Sequence, residues 1–295
     1  MGFALFRRRR DSAAEESPPP AQVAATSDAA ARPSAAPPDP LTVREWLYGP
    51  GCVIPGDPDY VVDLAKPFHL EPSMTMLDMS AGLGGPARAV AKAFKTYVAG
   101  FERDPDLVRR ANDICTAQGL GRQVQISAFD PEGFELRAGH YDHALAREAT
   151  YNIAQKERFL RVLNQAIKPF GQLIMLDFVR DRSAGEPQQL PAWEATQRLK
   201  PLLWTQAQYA DCLKSLGFDL RIANDVTADY RRLLLRAWQG FLGGETLRHI
   251  KSRQAAPVID EAERSMRTIA ALDSGALKFF YFVALAGRRR GAAGG

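Results

Sequence analysis

Residues 76–85 read Met-Leu-Asp-Met-Ser-Ala-Gly-Leu-Gly-Gly, a short apolar run that gives way after Leu77 and Asp78 to a string of small residues. Small residues let the backbone turn tightly and let a ligand approach the main chain. Met74 to Met79 reads as a short buried strand, bounded by Pro72 before it and glycines after it. Pro86 to Phe94 reads as a helix. The turn therefore joins a strand to a helix, the junction at which open α/β sheets bind ligands beyond the carboxyl ends of their strands.

The pattern repeats outward from this turn. Tyr97 to Phe101 is a second strand. Asp104 is a candidate N-cap for a helix that has Pro105 in its first turn and ends near Gly119. Val124 to Ala128 and Tyr141 to Ala146 are a third and a fourth strand. Ile153 to Ile167 is amphipathic, with Phe159, Leu160, Leu163 and Ile167 on one face, and Pro169, Phe170 and Gly171 stop it. Gln172 to Asp177 is a fifth strand. Such alternation implies a parallel sheet covered on both faces. Arg180 to Pro191 is polar and loop-like. Thr205 caps a helix running to about Leu216, and Phe218–Ala223 and Leu277–Leu285 are further strands, seven in all. Helical stretches near 227–240 and 255–271 form a cap beside the sheet.

The ends of the chain are different in kind. Residues 11–40 are dominated by Ala, Pro, Ser and Glu with no apolar period, so residues 1–40 are expected to be a disordered tail. Residues 41–72 form a helical lid, 73–287 the main domain with cap elements after residue 178, and 288–295 a second, basic disordered tail. The formal charge is +4, but residues 1–40 carry five Arg and five acidic residues and 288–290 three more Arg, which leaves 30 basic and 29 acidic residues elsewhere. An even balance of that kind argues against a nucleic-acid partner, which calls for a basic groove in the folded part. The Arg7–Arg10 run reads as a solubilising tail. Its alternative is a weak grip on an anionic membrane surface, with Phe3, Leu5 and Phe6 dipping in. No apolar run of about 18 residues exists to span a membrane, and the N-terminus has its charge after its apolar residues, the reverse of a secretory signal. The three cysteines, Cys52, Cys115 and Cys212, are far apart and fit neither a disulfide framework nor a metal cluster. A cytoplasmic protein without a metal is expected.

Three consecutive strand ends carry the chemistry. The first bears the glycine turn. The second ends in Glu102, about 20 residues past Gly82, where dinucleotide folds place an acid on ribose hydroxyls. The third ends in Phe129-Asp130, an aromatic face beside a hydrogen-bond acceptor. Dinucleotide dehydrogenases share this geometry, and up to this point they remain a rival reading.

The segments VIPGDPDYVVDLAKPF (53–68), MLDMSAGLGGPARAVA (76–91), VAGFERDPDLV (98–108), FDPEGF (129–134) and YDHALAREATYNIAQKERFLRVLNQAIKPFGQLIMLDFV (141–179) resemble the class I methyltransferases that use S-adenosylmethionine. The likeness is closest to the branch with the phosphoethanolamine, glycine–sarcosine and tocopherol methyltransferases. It spans roughly Trp46 to Phe178 and extends weakly to Tyr230 through LKSLGFDLRIANDVTADY. The last of the five segments is the most specific, and it argues against a dehydrogenase. The resemblance implies a Rossmann-like, seven-stranded, mostly parallel sheet with helices on both faces and a small helical cap. It implies that Asp78, Ser80, Gly82 and Gly84 line the methionine end of the cofactor. Glu102, with Arg103 beside it, would bind the ribose hydroxyls; Asp130 and Phe129 the adenine; Arg147 the middle of the cofactor. The family pattern is Asp-x-Gly-x-Gly-x-Gly, and Ser80 occupies the first glycine position. At positive φ a serine there is strained by about 1 kcal/mol; otherwise its hydroxyl is free to add a hydrogen bond.

Methyl transfer from a sulfonium is an in-line displacement, so the protein mainly aligns the reacting atoms, an effect worth roughly 7–11 kcal/mol in well-oriented systems. Of the four histidines, His143 lies inside a strand, and His69, His140 and His249 have no evident acid or nucleophile partner. Positioning chemistry on an amine nitrogen is therefore expected, with a small-molecule acceptor. Tyr48, in the EWLYGPG lid segment, and Tyr151 are the candidate catalytic residues. Glu148, Asn152 and Asp177 are the candidate substrate residues, because they follow the fourth and fifth strands. Trp193 and Trp204 read as core. The alternatives are a membrane-associated head group or quinone-like ring as acceptor, and a non-catalytic cofactor-binding protein, for which Ser80 is the support.

Overall fold

The computed structural model describes residues 39–250 and 255–287. The expected tails, apart from Asp39 and Pro40, lie outside these residues, as does the Phe3–Arg10 segment. The described chain opens with α1 (Pro40–Tyr48), capped by Asp39, whose carboxylate accepts from Leu41 N, and α2 (Pro58–Ala65), capped by Asp57. The alternating units follow: β1 (Thr75–Asp78), α3 (Gly85–Phe94), β2 (Tyr97–Glu102), α4 (Pro105–Ala117), β3 (Val124–Ala128), β4 (His143–Arg147), α5 (Lys156–Ala166) and β5 (Gln172–Arg180). Then come α6 (Gln189–Glu194), α7 (Gln206–Ser215), β6 (Asp219–Asp225), α8 (Thr227–Gly243), α9 (Glu245–His249), α10 (Ala256–Asp273) and β7 (Leu277–Leu285).

The seven strands form one sheet in the order β3-β2-β1-β4-β5-β7-β6. The first five are mutually parallel, and β7 runs antiparallel to both β5 and β6. Successive residues of β5 feed opposite faces. Leu173 and Met175 join the side covered by α5 and α7, while Ile174, Leu176 and Phe178 join the side covered by α1, α2, α3, α8 and α10. A central strand buried on both faces needs such a continuous apolar run.

Several boundaries differ from the sequence expectation, each for a local reason. The amphipathic helix α5 starts at Lys156, not Ile153, because Ala154 N and Gln155 N donate to the Glu132 carboxylate at 2.7 and 2.8 Å. Tyr141 makes only an isolated bridge to Ile167, and β4 begins two residues later. Strand β5 continues past Asp177 to Arg180 because β7 pairs with it along its full length. The polar stretch 180–191 contains the start of α6. Asp104 and Thr205 cap α4 and α7 as expected, Thr205 in a reciprocal capping box with Gln208. Among the described residues, no helix is long and apolar enough to cross a membrane.

Candidate active site

Strand order departs in opposite directions from β1 and β4, and the crevice outside their carboxyl ends is where such sheets bind ligands. There, Gly82 (φ +54°) and Gly84 (φ +73°) take left-handed conformations. A Cβ on Gly82 would stand 2.6 Å from Val53 Cγ2, so only glycine fits beneath the segment joining α1 to α2. Gly82 N donates to Glu102 Oε2 at 3.0 Å, and Asp104 N donates to Oε1 at 3.0 Å. The glycine turn thus clamps the carboxylate at the end of β2. Ser80 is not among the residues with positive φ. Its hydroxyl accepts from Arg147 N at 3.2 Å and ties β1 to β4, so the strain considered for this position is absent.

Asp78 is buried beneath the turn and accepts from Ser80 N at 3.2 Å. Burial raises its pKa, against the lowering pull of Arg147. Arg147 is buried as well; Nη1 donates to Pro55 O at 3.4 Å, and Nε has no hydrogen-bond partner. Phe129 packs edge-on against Phe101 and Phe134 and still reaches the cleft.

The cleft has a volume of about 240 Å3. Its inner half is bordered by Ser80, Glu102, Arg103, Phe129 and Arg147. Its other half is aromatic. Tyr151, Phe178 and Trp193 meet with ring centroids 5.3–6.1 Å apart, and Tyr230 lies 5.3 Å from Phe178. Tyr48 closes this wall from α1 and donates to Glu261 Oε1 on α10 at 3.3 Å. Glu261 Oε2 accepts from Arg44 Nε at 3.2 Å, and Arg264 Nε stands 3.4 Å away. Glu148 projects from the end of β4 with φ +51°, and its Oε1 accepts from Tyr230 Oη at 2.9 Å. Burial, opposed by that hydrogen bond and by Arg147, raises Glu148 to about 7. Burial holds Tyr48 and Tyr151 above the ordinary phenol range, with further upward pushes from Glu261 and Glu148 respectively. Both phenols keep their protons at neutral pH.

Nine of the expected site residues line this one cleft: Tyr48, Ser80, Glu102, Arg103, Phe129, Arg147, Glu148, Tyr151 and Asn152. Asp78, Gly82 and Gly84 build the turn beneath it. Two do not reach it. Asp177 is fully buried; it accepts from Thr150 N, Thr150 Oγ1 and Phe178 N at 2.6–2.8 Å, which makes it an anchor between β5 and the β4 loop. Asp130 is exposed and closes its own turn, accepting from Glu132 N at 3.0 Å. Trp193, read as core, is buried but forms part of the cleft wall. Arg44, Tyr230, Glu261 and Arg264 were not legible as site residues. Tyr230 had one signal, as the last residue of the extended resemblance. Glu261 is one acid among several on an amphipathic helix, and nothing local marks it.

A family model described as a methyltransferase domain matches residues 58–221. Among curated relatives, phosphoethanolamine N-methyltransferase 2 of Caenorhabditis elegans is 25% identical over 196 residues, covering 66% of this chain and 44% of the relative. Sterol 24-C-methyltransferase of Yarrowia lipolytica is 25% identical over 219 residues, covering 73% of this chain and 56% of the relative. The chain thus spans about half the length of these curated relatives. Among solved structures, phosphoethanolamine N-methyltransferase 2 of Haemonchus contortus, in complex with phosphomonomethylethanolamine and S-adenosylhomocysteine, superimposes with a TM-score of 0.74 at 19% identity. That match covers 84% of this chain and 57% of the other, and it establishes a shared fold.

Proposed function

The chain belongs to the methyltransferase domain family, and from that premise we propose that it binds S-adenosylmethionine and transfers the methyl group to a small-molecule acceptor, an amine nitrogen. The residues of the inner half suit the cofactor. The Glu102 carboxylate is fixed at a strand end where vicinal ribose hydroxyls can donate to it. Phe129 offers a flat face for a base, and the unpartnered Arg147 Nε offers a buried donor. Bound there, the sulfonium supplies an activated methyl group that needs only a nucleophile in line with it. The protein aligns that nucleophile and excludes water.

The observation that carries the amine reading is the aromatic wall of Tyr48, Tyr151, Phe178, Trp193 and Tyr230 beside the Glu148 carboxylate, of which only one oxygen has a donor among the described residues. Aromatic faces and a carboxylate attract ammonium groups. Arg44 and Arg264 share one counterion, Glu261, and leave a positive edge suited to an amine that also carries an acidic group. The phosphoethanolamine relatives point the same way. Incubation with methyl-labelled cofactor and a panel of amines, phenols and lipid head groups is the test. Label is expected on an amine; transfer to phenols or carbon acceptors alone would contradict the assignment. We place the enzyme in the cytoplasm, where Cys52, Cys115 and Cys212 would stay reduced; all three are free.

A second reading, a lipid-borne acceptor, has its own support. Leu235 and Leu242 on α8, and Ile259 and Met266 on α10, are exposed. Each pair is spaced seven residues apart and so shares a helix face. Cosedimentation with anionic vesicles, lost when Leu242 and Met266 are replaced by Ser, would favour it over a soluble amine.

A further inference from the structure

Three carboxylates line the cleft, and in two of them each oxygen already has a protein donor facing it. Both oxygens of Glu102 accept backbone amides. Both oxygens of Glu261 face donors, Tyr48 on one and Arg44 on the other. Glu148 differs. Its Oε1 accepts from Tyr230 Oη at 2.9 Å, and its Oε2 has no partner among the described residues. Glu148 is also one of four non-glycine residues with positive φ among those described. That conformation is disfavoured for a side chain with a Cβ, yet it is held by a 2.7 Å hydrogen bond from Glu148 N to Leu176 O. It turns the side chain into the aromatic half of the cleft. Tyr230 is equally fixed, with its ring centroid 4.1 Å from Phe279 and 5.3 Å from Phe178.

We propose that Glu148 is the catalytic base of the transfer, with Tyr230 as the residue that positions it. The inference rests on the amine reading above. A protonated amine gives one N–H proton to Glu148 Oε2 and becomes a neutral amine with a lone pair. That pair forms the new N–C bond to the methyl carbon as the C–S bond breaks, and its electrons stay on sulfur as a thioether. The methylated ammonium product leaves, and Glu148 returns its proton to solvent.

The surroundings agree with this role. The groups acting on Glu148 are Tyr230 from α8, Arg147 from β4, Asp177 from β5 and Arg44 from α1. Tyr48, Tyr60 and Tyr151 also feel its charge. Burial places the carboxyl at about 7, where it can both take and release a proton near neutrality.

The test joins a titration with kinetics. The glutamate side-chain carboxyl carbons of labelled protein are followed by NMR against pH in wild type, Glu148→Gln and Tyr230→Phe. One resonance titrating near 7 is expected in wild type. It is absent from Glu148→Gln and moves to higher pH in Tyr230→Phe, because the lost hydrogen bond favoured the charged form. On the amine found by the labelled-methyl screen, kcat should fall about 100-fold or more in Glu148→Gln. The acidic limb of its pH profile should vanish while cofactor affinity, measured by calorimetry, is unchanged. A Glu148 carboxyl titrating in the ordinary range overturns the proposal. So does a Glu148→Gln enzyme with wild-type kcat and an intact acidic limb. If the wild type methylates no amine although the titration appears as expected, it is the amine reading that has failed, and the base role falls with it.

Discussion

Glu148 and Asp177 lie one strand apart and show how two carboxylates near one cleft take different work. Both are raised by burial, Glu148 to about 7 and Asp177 to about 6. Asp177 has both oxygens in hydrogen bonds and lies outside the cleft lining; Glu148 lines the cleft and has one oxygen without a donor among the described residues. An acid raised in the folded state binds its proton more tightly there than in the unfolded chain. Stability therefore falls as pH climbs from the unfolded pKa to the folded one, here between about 4 and 7. Replacing Glu148 by Gln removes its share of that slope. Thermal melts at pH 5 and pH 8 should show the variant gaining on wild type at the higher pH; parallel behaviour at both would mean the carboxyl is not shifted. Ser80 teaches a different lesson. The sequence marked it as a departure from a glycine pattern, but only the structure fixes its backbone angle and its bond to Arg147 N. Asp130 stands outside the cleft, because an Asp before Pro131 accepts from Glu132 N in its own turn.

Among the elements, β1 to β5 and α3 to α5 were readable because each carries its own apolar period, cap or breaker. The end of β5, the start of α5 and all of α6 were not. The first depends on β7 across the sheet and the second on Glu132, 22 residues from Ala154. Lys156 is a similar case. It is buried and donates to Ile153 O and Leu202 O, while Leu202 N donates to Tyr151 O, so a core lysine secures the loop that carries Tyr151. The lid expected over 41–72 rests on the start of α3, where Gly85 N donates to Gly51 O at 3.0 Å. A Cβ at Gly85 would stand 2.5 Å from Pro50 O and 2.6 Å from Gly51 C, so backbone would have to move. Gly85→Ala should loosen residues 41–72 to hydrogen exchange and weaken cofactor binding by about tenfold, roughly 1.4 kcal/mol. Unchanged protection and affinity would show that the lid does not depend on this contact.

For the molecule as a whole, the sheet order brings the proposed cofactor half and the proposed acceptor half into one cleft, and the two halves were not equally legible. Most of the proposed cofactor half comes from consecutive strand ends within about fifty residues of sequence, so spacing brought Gly82, Glu102 and Phe129 into view, and the family resemblance added Arg147. The acceptor half is assembled from α1, the loop after β4, α8 and α10; Tyr48 and Glu261 meet across 213 residues. No local pattern encodes such a meeting. The same assembly makes a prediction about the N-terminal tail. Asp39 caps α1 and pairs with Arg110 at 2.8 Å. A chain lacking residues 1–38 but retaining Asp39 should keep cofactor affinity and turnover on a soluble amine within about twofold. Loss of turnover on vesicle-borne acceptors alone would favour the lipid reading, and loss of cofactor binding would show that the tail belongs to the site.

The most direct measurement is a calorimetric titration of S-adenosylmethionine into wild type and into Glu102→Ala. Charged hydrogen bonds contribute about 1.5–3 kcal/mol, so one saturable site is expected in wild type and a loss of affinity of at least tenfold in the variant. Equal affinity in the two proteins, or no binding to the wild type, would contradict the account.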